Sequence, residues 1–224
     1  MLGPPAPRPP VLSGGAHPLI AVLFGPPGSG KGTQAAFMTS DFQLAHVSTG
    51  DMLRAEAGTG SALGREVAPL MAAGKLVPDE LIVRVIAERL NHDDVGRGLV
   101  LDGFPRTVAQ ARALDAMLSG RGRDVGLVLS LAVPVDVLVE RLLGRAREQG
   151  RNDDTAEVIR ERMLEYERKT APVLDHYRAS GVRVGTIDGV GSLEDVRRRV
   201  RAEVAGALSG APCRQPRRRV ADGS

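Results

Sequence analysis

The stretch from Leu19 to Thr33 restricts the fold of this chain more than any other. Leu19-Ile20-Ala21-Val22-Leu23 is an unbroken apolar run of strand length, and Gln34-Ala35-Ala36-Phe37-Met38 has helix-forming residues at helical spacing. Between them lies Phe24-Gly25-Pro26-Pro27-Gly28-Ser29-Gly30-Lys31-Gly32-Thr33. A strand, a glycine-rich turn and a helix start form the setting in which backbone N–H groups close around a phosphate. Glycines remove Cβ interference, and the helix N-terminus adds unpaired donors. Lys31 supplies a mobile positive charge. An ordinary Gly/Pro turn needs none of this flanking context. Gly28, Ser29, Gly30, Lys31, Gly32 and Thr33 are therefore the expected cradle of a nucleotide phosphate. One position departs from G-x-x-x-x-G-K-[ST]: Gly32 stands where a metal-binding hydroxyl usually does, and Thr33 follows one residue late.

Downstream, short apolar strands alternate with helical segments. His46–Ser48, Gly98–Asp102, Val125–Val133 and Arg183–Ile187 read as strands. Pro78–Leu90, Thr107–Leu118, Pro134–Gln149 and Thr155–Ala179 carry apolar residues at helical spacing. Pro78 and Pro134 suit first-turn positions, and Asp154-Thr155 offers an N-cap. This alternation predicts an α/β fold with a parallel sheet covered on both faces, and ligands at the carboxyl ends of its strands. The phosphate loop, Ser48 and Asp102 all fall at such ends and are expected to converge.

Three further clusters carry chemistry. In Asp102-Gly103-Phe104-Pro105-Arg106, an acidic residue ending a strand can hold Mg²⁺ or its waters, although it can also cap the following turn. Arg106 presents a planar fork suited to phosphate. Gln110, four residues on, has both a donor and an acceptor for a base edge. Ser48-Thr49-Gly50-Asp51-Met52-Leu53-Arg54 reads as a turn into a helix with a cation one turn in. That helical stretch runs on to the turn Gly74-Lys75-Leu76-Val77-Pro78. Arg141, Arg145, Arg147, Arg151 and Arg162, with Asp153-Asp154 between, form a basic set; Arg141 and Arg145 share a helix face. Each arginine alone reads equally well as solvated surface. The set opposite a phosphate loop suits the charge of a moving phosphoryl group. His46 reads as a packed or surface residue.

Composition bounds the rest. The 224 residues, 42% hydrophobic, suffice for one good core. No apolar run is long enough for a membrane span, and no signal pattern opens the chain, so a cytoplasmic protein is expected. The single cysteine, Cys213, rules out an internal disulfide or a Cys-based zinc site. The sequence pI of 9.5 invites a nucleic-acid partner, but Arg8, Arg214, Arg217, Arg218 and Arg219 place the excess in the end segments and leave the body slightly acidic. With only 3% aromatic residues and no Trp, base-stacking platforms are not expected either. Residues 1–18 and 208–224 read as disordered arms around a domain at 19–207. Met1–Pro18 also fits a start codon placed too early.

Gly25-x-Pro27-Gly28-x-Gly30-Lys31-Gly32-Thr33-Gln34, Ser48-Thr49-Gly50-Asp51-Met52-Leu53-Arg54, Gly74-Lys75-Leu76-Val77-Pro78, Asp102-Gly103-Phe104-Pro105-Arg106-x-x-x-Gln110 and Arg151-x-Asp153-Asp154 together resemble the ordered motifs of the adenylate kinase family. The similarity runs from about Leu19 to Val204. It implies a P-loop NTPase core with a five-stranded parallel sheet, an inserted monophosphate-binding lobe at 48–77 and a lid at 144–154. Only Ala146 to Gly150 separate Arg145 from Arg151, which resembles the short-lid type, without the longer and sometimes zinc-bearing lid.

The resemblance implies reversible transfer from MgATP to AMP giving two ADP, in the service of adenine nucleotide homeostasis, by a monomer. Position by position, it implies that Gly28 to Thr33, Arg141, Arg145 and Gly191 meet ATP. Thr49, Arg54, Lys75, Leu76, Val77, Gly103, Arg106 and Gln110 meet AMP. Arg151 and Arg162 bridge the two substrates, Lys31 and the arginines stabilise the transferred group, and Asp102 anchors Mg²⁺ through water. Two rivals share parts of this pattern. A uridylate–cytidylate kinase typically has Ala at the position of Thr49 and Asn at that of Gln110; a nucleotide-gated binding protein needs the loop but not the arginine set.

Overall fold

The computed structural model describes residues 18–149 and 155–210, the side chains of 145–149 excepted. Residues 1–17 and 211–224, the Arg145 and Arg147 side chains, and Gly150 to Asp154 with the candidate Arg151 lie outside the described residues.

Five strands form one parallel sheet: β1 (Ile20–Phe24), β2 (Ala45–Ser48), β3 (Leu99–Asp102), β4 (Leu127–Ala132) and β5 (Val184–Asp188), in the order β2-β3-β1-β4-β5. Every residue of β1 is buried, because helices cover both sheet faces and alternate side chains enter different cores. Ile20, Val22 and Phe24 pack with one cluster, joined by Ile86 of α4 (Asp79–Arg89), Leu114 of α5 (Val108–Ser119) and Tyr177 of α8 (Ala171–Ala179). Ala21 and Leu23 face the other, with Met38 of α1 (Lys31–Phe42) and Val196, Val200 and Val204 of α9 (Leu193–Leu208). On that second face Arg197 Nε donates to Asp41 at 3.0 Å and its guanidinium sits 4.6 Å from the Phe37 ring centre, tying α9 to α1.

The chain leaves central β1 for one side of the sheet and returns past it to the other, so the strand order reverses at β1, the position where open parallel sheets bind ligands. Registers align the carboxyl ends: Ser48 and Leu23 both pair with Asp102, and Phe24 with Ser130.

Between β2 and α4 the chain leaves the sheet to form α2 (Thr49–Thr59) and α3 (Ala62–Ala72). The sequence reading runs these together; the structure breaks them at Gly60, whose φ of 69° is left-handed, with Ser61 capping α3 by accepting from the Gly64 N–H. It also divides the expected Thr155–Ala179 helix into α7 (Ala156–Glu165), a π-helical turn at Tyr166–Thr170, and α8. Thr155 supplies the N-cap of α7. Helix α9 is absent from the sequence reading, although Leu193, Val196, Val200 and Val204 hold helical spacing and Ser192 with Asp195 makes a capping box. Helix α6 (Val135–Gln149) follows β4 and carries Arg141.

Candidate active site

At the carboxyl end of β1 the backbone turns through Gly25, Gly28 and Gly30, all with positive φ. At Gly28 (φ 80°) a Cβ stands 2.9 Å from the Leu138 carbonyl and 2.9 Å from Leu142 Cγ of α6. Only glycine allows that close approach. Helix α1 then begins with no side-chain cap and no acidic residue in its first turn. By contrast, hydroxyl caps close α2, α3, α5, α7 and α9 at Ser48, Ser61, Thr107, Thr155 and Ser192. The first N–H groups of α1 are thus left for an anion. Lys31 folds back over the loop, its Nζ donating to the Gly25 carbonyl at 2.6 Å and the Pro26 carbonyl at 2.9 Å.

Beside the loop, Asp102 ends β3 with its side chain only 14% exposed. Burial pushes its carboxyl up, but His46, Lys31 and Arg106 together outweigh that and hold it below the ordinary 3.8. His46 Nε2 stands 3.8 Å from Asp102 Oδ2, too far for a hydrogen bond. An ideal Cβ on Gly32 lies 3.4 Å from Asp102 Oδ2, so the position that usually carries a hydroxyl faces this carboxylate. Thr33 is exposed.

Asp102 fits Mg²⁺ of the kind that keeps most of its waters and is held mainly by nucleotide phosphates. The described residues contain no group of three or more His, Cys, Asp or Glu side chains able to hold a metal by themselves.

Arg106 follows the cis Phe104-Pro105 bond and turns back on its own loop, with Nε donating to the Gly103 carbonyl at 2.8 Å. Burial pushes its guanidinium pKa down, Asp102 opposes that, and the like charges of Arg162 and Arg54 push it further down. Three guanidinium groups within electrostatic reach are stabilised by a polyanion between them. From the π turn, Thr170 Oγ1 donates to the Arg106 carbonyl at 3.1 Å.

Two adjoining cavities receive these groups. The larger, of about 1070 Å³, is lined by Gly28 to Thr33, Asp102, Arg141 and Gly191. The smaller is lined by Thr49, Lys75, Leu76, Val77 and Gln110, with Leu53, Met71 and Ile82 as apolar walls. Arg54, Gly103, Arg106 and Arg162 line both. Every described candidate borders one cavity or the other, and the side chains of Arg145 and Arg151 lie outside the described residues.

Local bonds qualify some roles. Thr49 is buried and its Oγ1 donates to the Gly103 carbonyl at 2.9 Å, so the hydroxyl proton joins the β2 and β3 ends. Arg54 pairs with Asp51 at 2.5 Å, and Arg141 Nη2 donates to the Gly189 carbonyl at 3.0 Å. Gln110 is 2% exposed and already holds partners at both ends of its amide: Oε1 accepts from the Arg106 N–H at 2.7 Å and Nε2 donates to Asp79 at 2.8 Å. The sequence reading missed Glu165, Tyr166 and Thr170, which also line the larger cavity. They come from the π turn and the helix end before it, more than fifty residues from Arg106, and no local motif marks them.

A parallel sheet with a phosphate loop at its strand-order reversal, a carboxylate on the next strand and arginines between two cavities defines a P-loop phosphotransferase of the nucleoside monophosphate kinase class. Comparison narrows this. The family model described as "Adenylate kinase" matches residues 23–182. The chain is 47% identical over 183 residues to a protein named adenylate kinase from Stenotrophomonas maltophilia (strain K279a), covering 82% of this chain and 97% of that one. It is 49% identical over 179 residues to one from Xanthomonas campestris pv. campestris (strain B100), covering 80% and 95%, and 48% identical to one from Xylella fastidiosa (strain 9a5c) over the same shares. The chain belongs to the adenylate kinase family.

Proposed function

We propose that this chain carries out the adenylate kinase reaction, reversible transfer of the terminal phosphoryl group of MgATP to AMP to give two ADP, across the wall of arginines between its two cavities. An AMP phosphate oxygen attacks the γ-phosphorus of ATP, and the bond from that phosphorus to the β-phosphate oxygen breaks. No covalent enzyme intermediate is needed, so the protein's work is alignment, charge stabilisation and exclusion of water.

The observation that carries this reading is that Arg54, Arg106 and Arg162 border both cavities, one lined by the phosphate loop and the other by Gln110 with Leu53, Met71 and Ile82. Gly28 to Thr33, Arg141, Arg145 and Gly191 hold ATP. Thr49, Arg54, Lys75, Leu76, Val77, Gly103 and Gln110 hold AMP. Lys31, Arg106, Arg151 and Arg162 stabilise the transferred group. Asp102 would hold, through the ion's waters, the Mg²⁺ that accompanies ATP, and the ion would supply charge to screen the phosphates.

Residues 48–77 act as a monophosphate-binding lobe and 144–154 as a short lid that excludes water, a form of gating for which adenylate kinase lids are themselves a standing example. On this reading the enzyme works as a monomer and without zinc, and metal analysis of purified protein checks the second point. On the same reading it acts in the cytoplasm, with no nucleic-acid partner and no membrane contact. No helix among the described residues is long and apolar enough to cross a membrane.

Base choice tests the assignment. A cavity lined by a buried amide rejects analogues that leave that amide unpaired. AMP is expected to exceed CMP, UMP and GMP by about 10²-fold in kcat/KM with MgATP. Equal use of CMP or UMP removes the adenylate assignment and leaves a monophosphate kinase.

A further inference from the structure

Asp79, the first residue of α4, has no part in the roles above. Each of its carboxylate oxygens serves one residue at the start of α5: Oδ1 accepts from Gln110 Nε2 and Oδ2 accepts from Thr107 Oγ1, both at 2.8 Å. The other end of the Gln110 amide accepts from the Arg106 backbone N–H at 2.7 Å. A carboxylate only accepts and a backbone N–H only donates, so these partners admit a single orientation of the amide. Thr107 adds rigidity, since its Oγ1 also accepts from the Gln110 N–H at 3.1 Å as the N-cap of α5.

A primary amide offers two N–H donors and two oxygen lone pairs, and each anchor uses one. One donor and one acceptor remain, on a residue that lines the smaller cavity together with Leu53, Met71 and Ile82. Adenine presents an amino donor beside a ring-nitrogen acceptor. Hypoxanthine presents the inverse, a carbonyl acceptor beside a ring N–H donor. A Gln110 free to turn over can satisfy either edge; one held at both ends satisfies only one.

We propose that Asp79 is a positioning residue for base specificity: by locking the Gln110 amide it admits the 6-aminopurine edge and rejects 6-oxopurines. This rests on the reading of Gln110 as the base-contacting group.

The experiment measures kcat/KM for AMP and IMP, with MgATP, in wild type, Asp79→Asn, Gln110→Ala and the double variant. Asn fills the same space but donates as well as accepts, so it weakens one of the two anchors and leaves the Arg106 N–H as the other, without opening a hole. Asp79→Asn is expected to lower the AMP/IMP ratio about tenfold, roughly the discrimination of one hydrogen bond. The change appears in the KM of the monophosphate, with the KM for ATP unmoved. In the Gln110→Ala background the same substitution is expected to change the ratio no further, because nothing remains to orient. A wild-type ratio in Asp79→Asn, alongside a lowered one in Gln110→Ala, overturns the role of Asp79, as does an equal fall in both backgrounds. A ratio untouched by Gln110→Ala overturns instead the reading of Gln110. Asp79→Ala, which removes both acceptors, is expected to move the ratio in the same direction and serves if the Asn protein fails to fold.

Discussion

Lys31 and Arg106 show how a single charged residue is readied for phosphate. Lys31 bonds two carbonyls of its own loop, which holds the ammonium over the cradle. Substituting Met keeps the aliphatic stem and removes the charge. Lys31→Met is expected to lower kcat by about 10²-fold or more while circular dichroism stays unchanged, because the loss falls on charge developing in the transition state. Near-wild-type turnover in the folded variant counts against the loop as the ATP site. Arg106 is less separable, since its Nε also closes the Gly103 turn; Arg106→Lys is expected to lose both that bond and the planar fork.

At the level of elements, α2 and α3 form the outer wall of the smaller cavity, and their separation is set at Gly64. An ideal Cβ there lies 2.3 Å from the Glu56 carbonyl oxygen of α2, a backbone atom with no room to give. Gly64→Ala is therefore expected to destabilise by about 1–3 kcal/mol through overpacking. The same shift moves Leu53 and Met71 apart, so KM for AMP rises more than KM for ATP. Thermal melts and paired KM measurements check this, and an unchanged melting temperature refutes the contact. The π turn at Tyr166–Thr170 is a second such element: one extra residue per turn brings Thr170 Oγ1 to the Arg106 carbonyl. Such turns recur at functional sites.

For the molecule as a whole, the second sheet face is closed by the α1–α9 contact at Asp41 and Arg197. The hydrogen bond from Arg197 lowers the Asp41 pKa below 3.8, burial opposes it, and the charges of Arg197 and Arg201 reinforce it. A depressed folded-state pKa stabilises fully above the unfolded value and less as pH falls through the folded one. Asp41→Asn is thus expected to lower the melting temperature at neutral pH, with the difference from wild type narrowing below pH 3.8. A difference that persists unchanged at pH 2 to 3 assigns the loss to packing instead of charge.

Local sequence determined the parts whose physics is local. A glycine-rich turn after an apolar run needs no distant partner to form a phosphate cradle, and Gly25 to Thr33 read as one from the chain alone. The five strands were legible to within two residues, because a strand buried on both faces must be mostly apolar, as β1 is throughout and β4 is but for Ser130. Helix α9 was equally legible from its spacing and capping box. Other features had no local signal. Gly60 marks a break between α2 and α3 only because the helices then pack at Gly64, and the π turn depends on where Arg106 stands. The partners of Gln110 were decided by tertiary structure: Asp79 sits thirty-one residues earlier, in a segment that reads as an ordinary acidic helix start. A residue's type states which hydrogen bonds it can make, and only the packing of α4 against α5 selects which ones it does make.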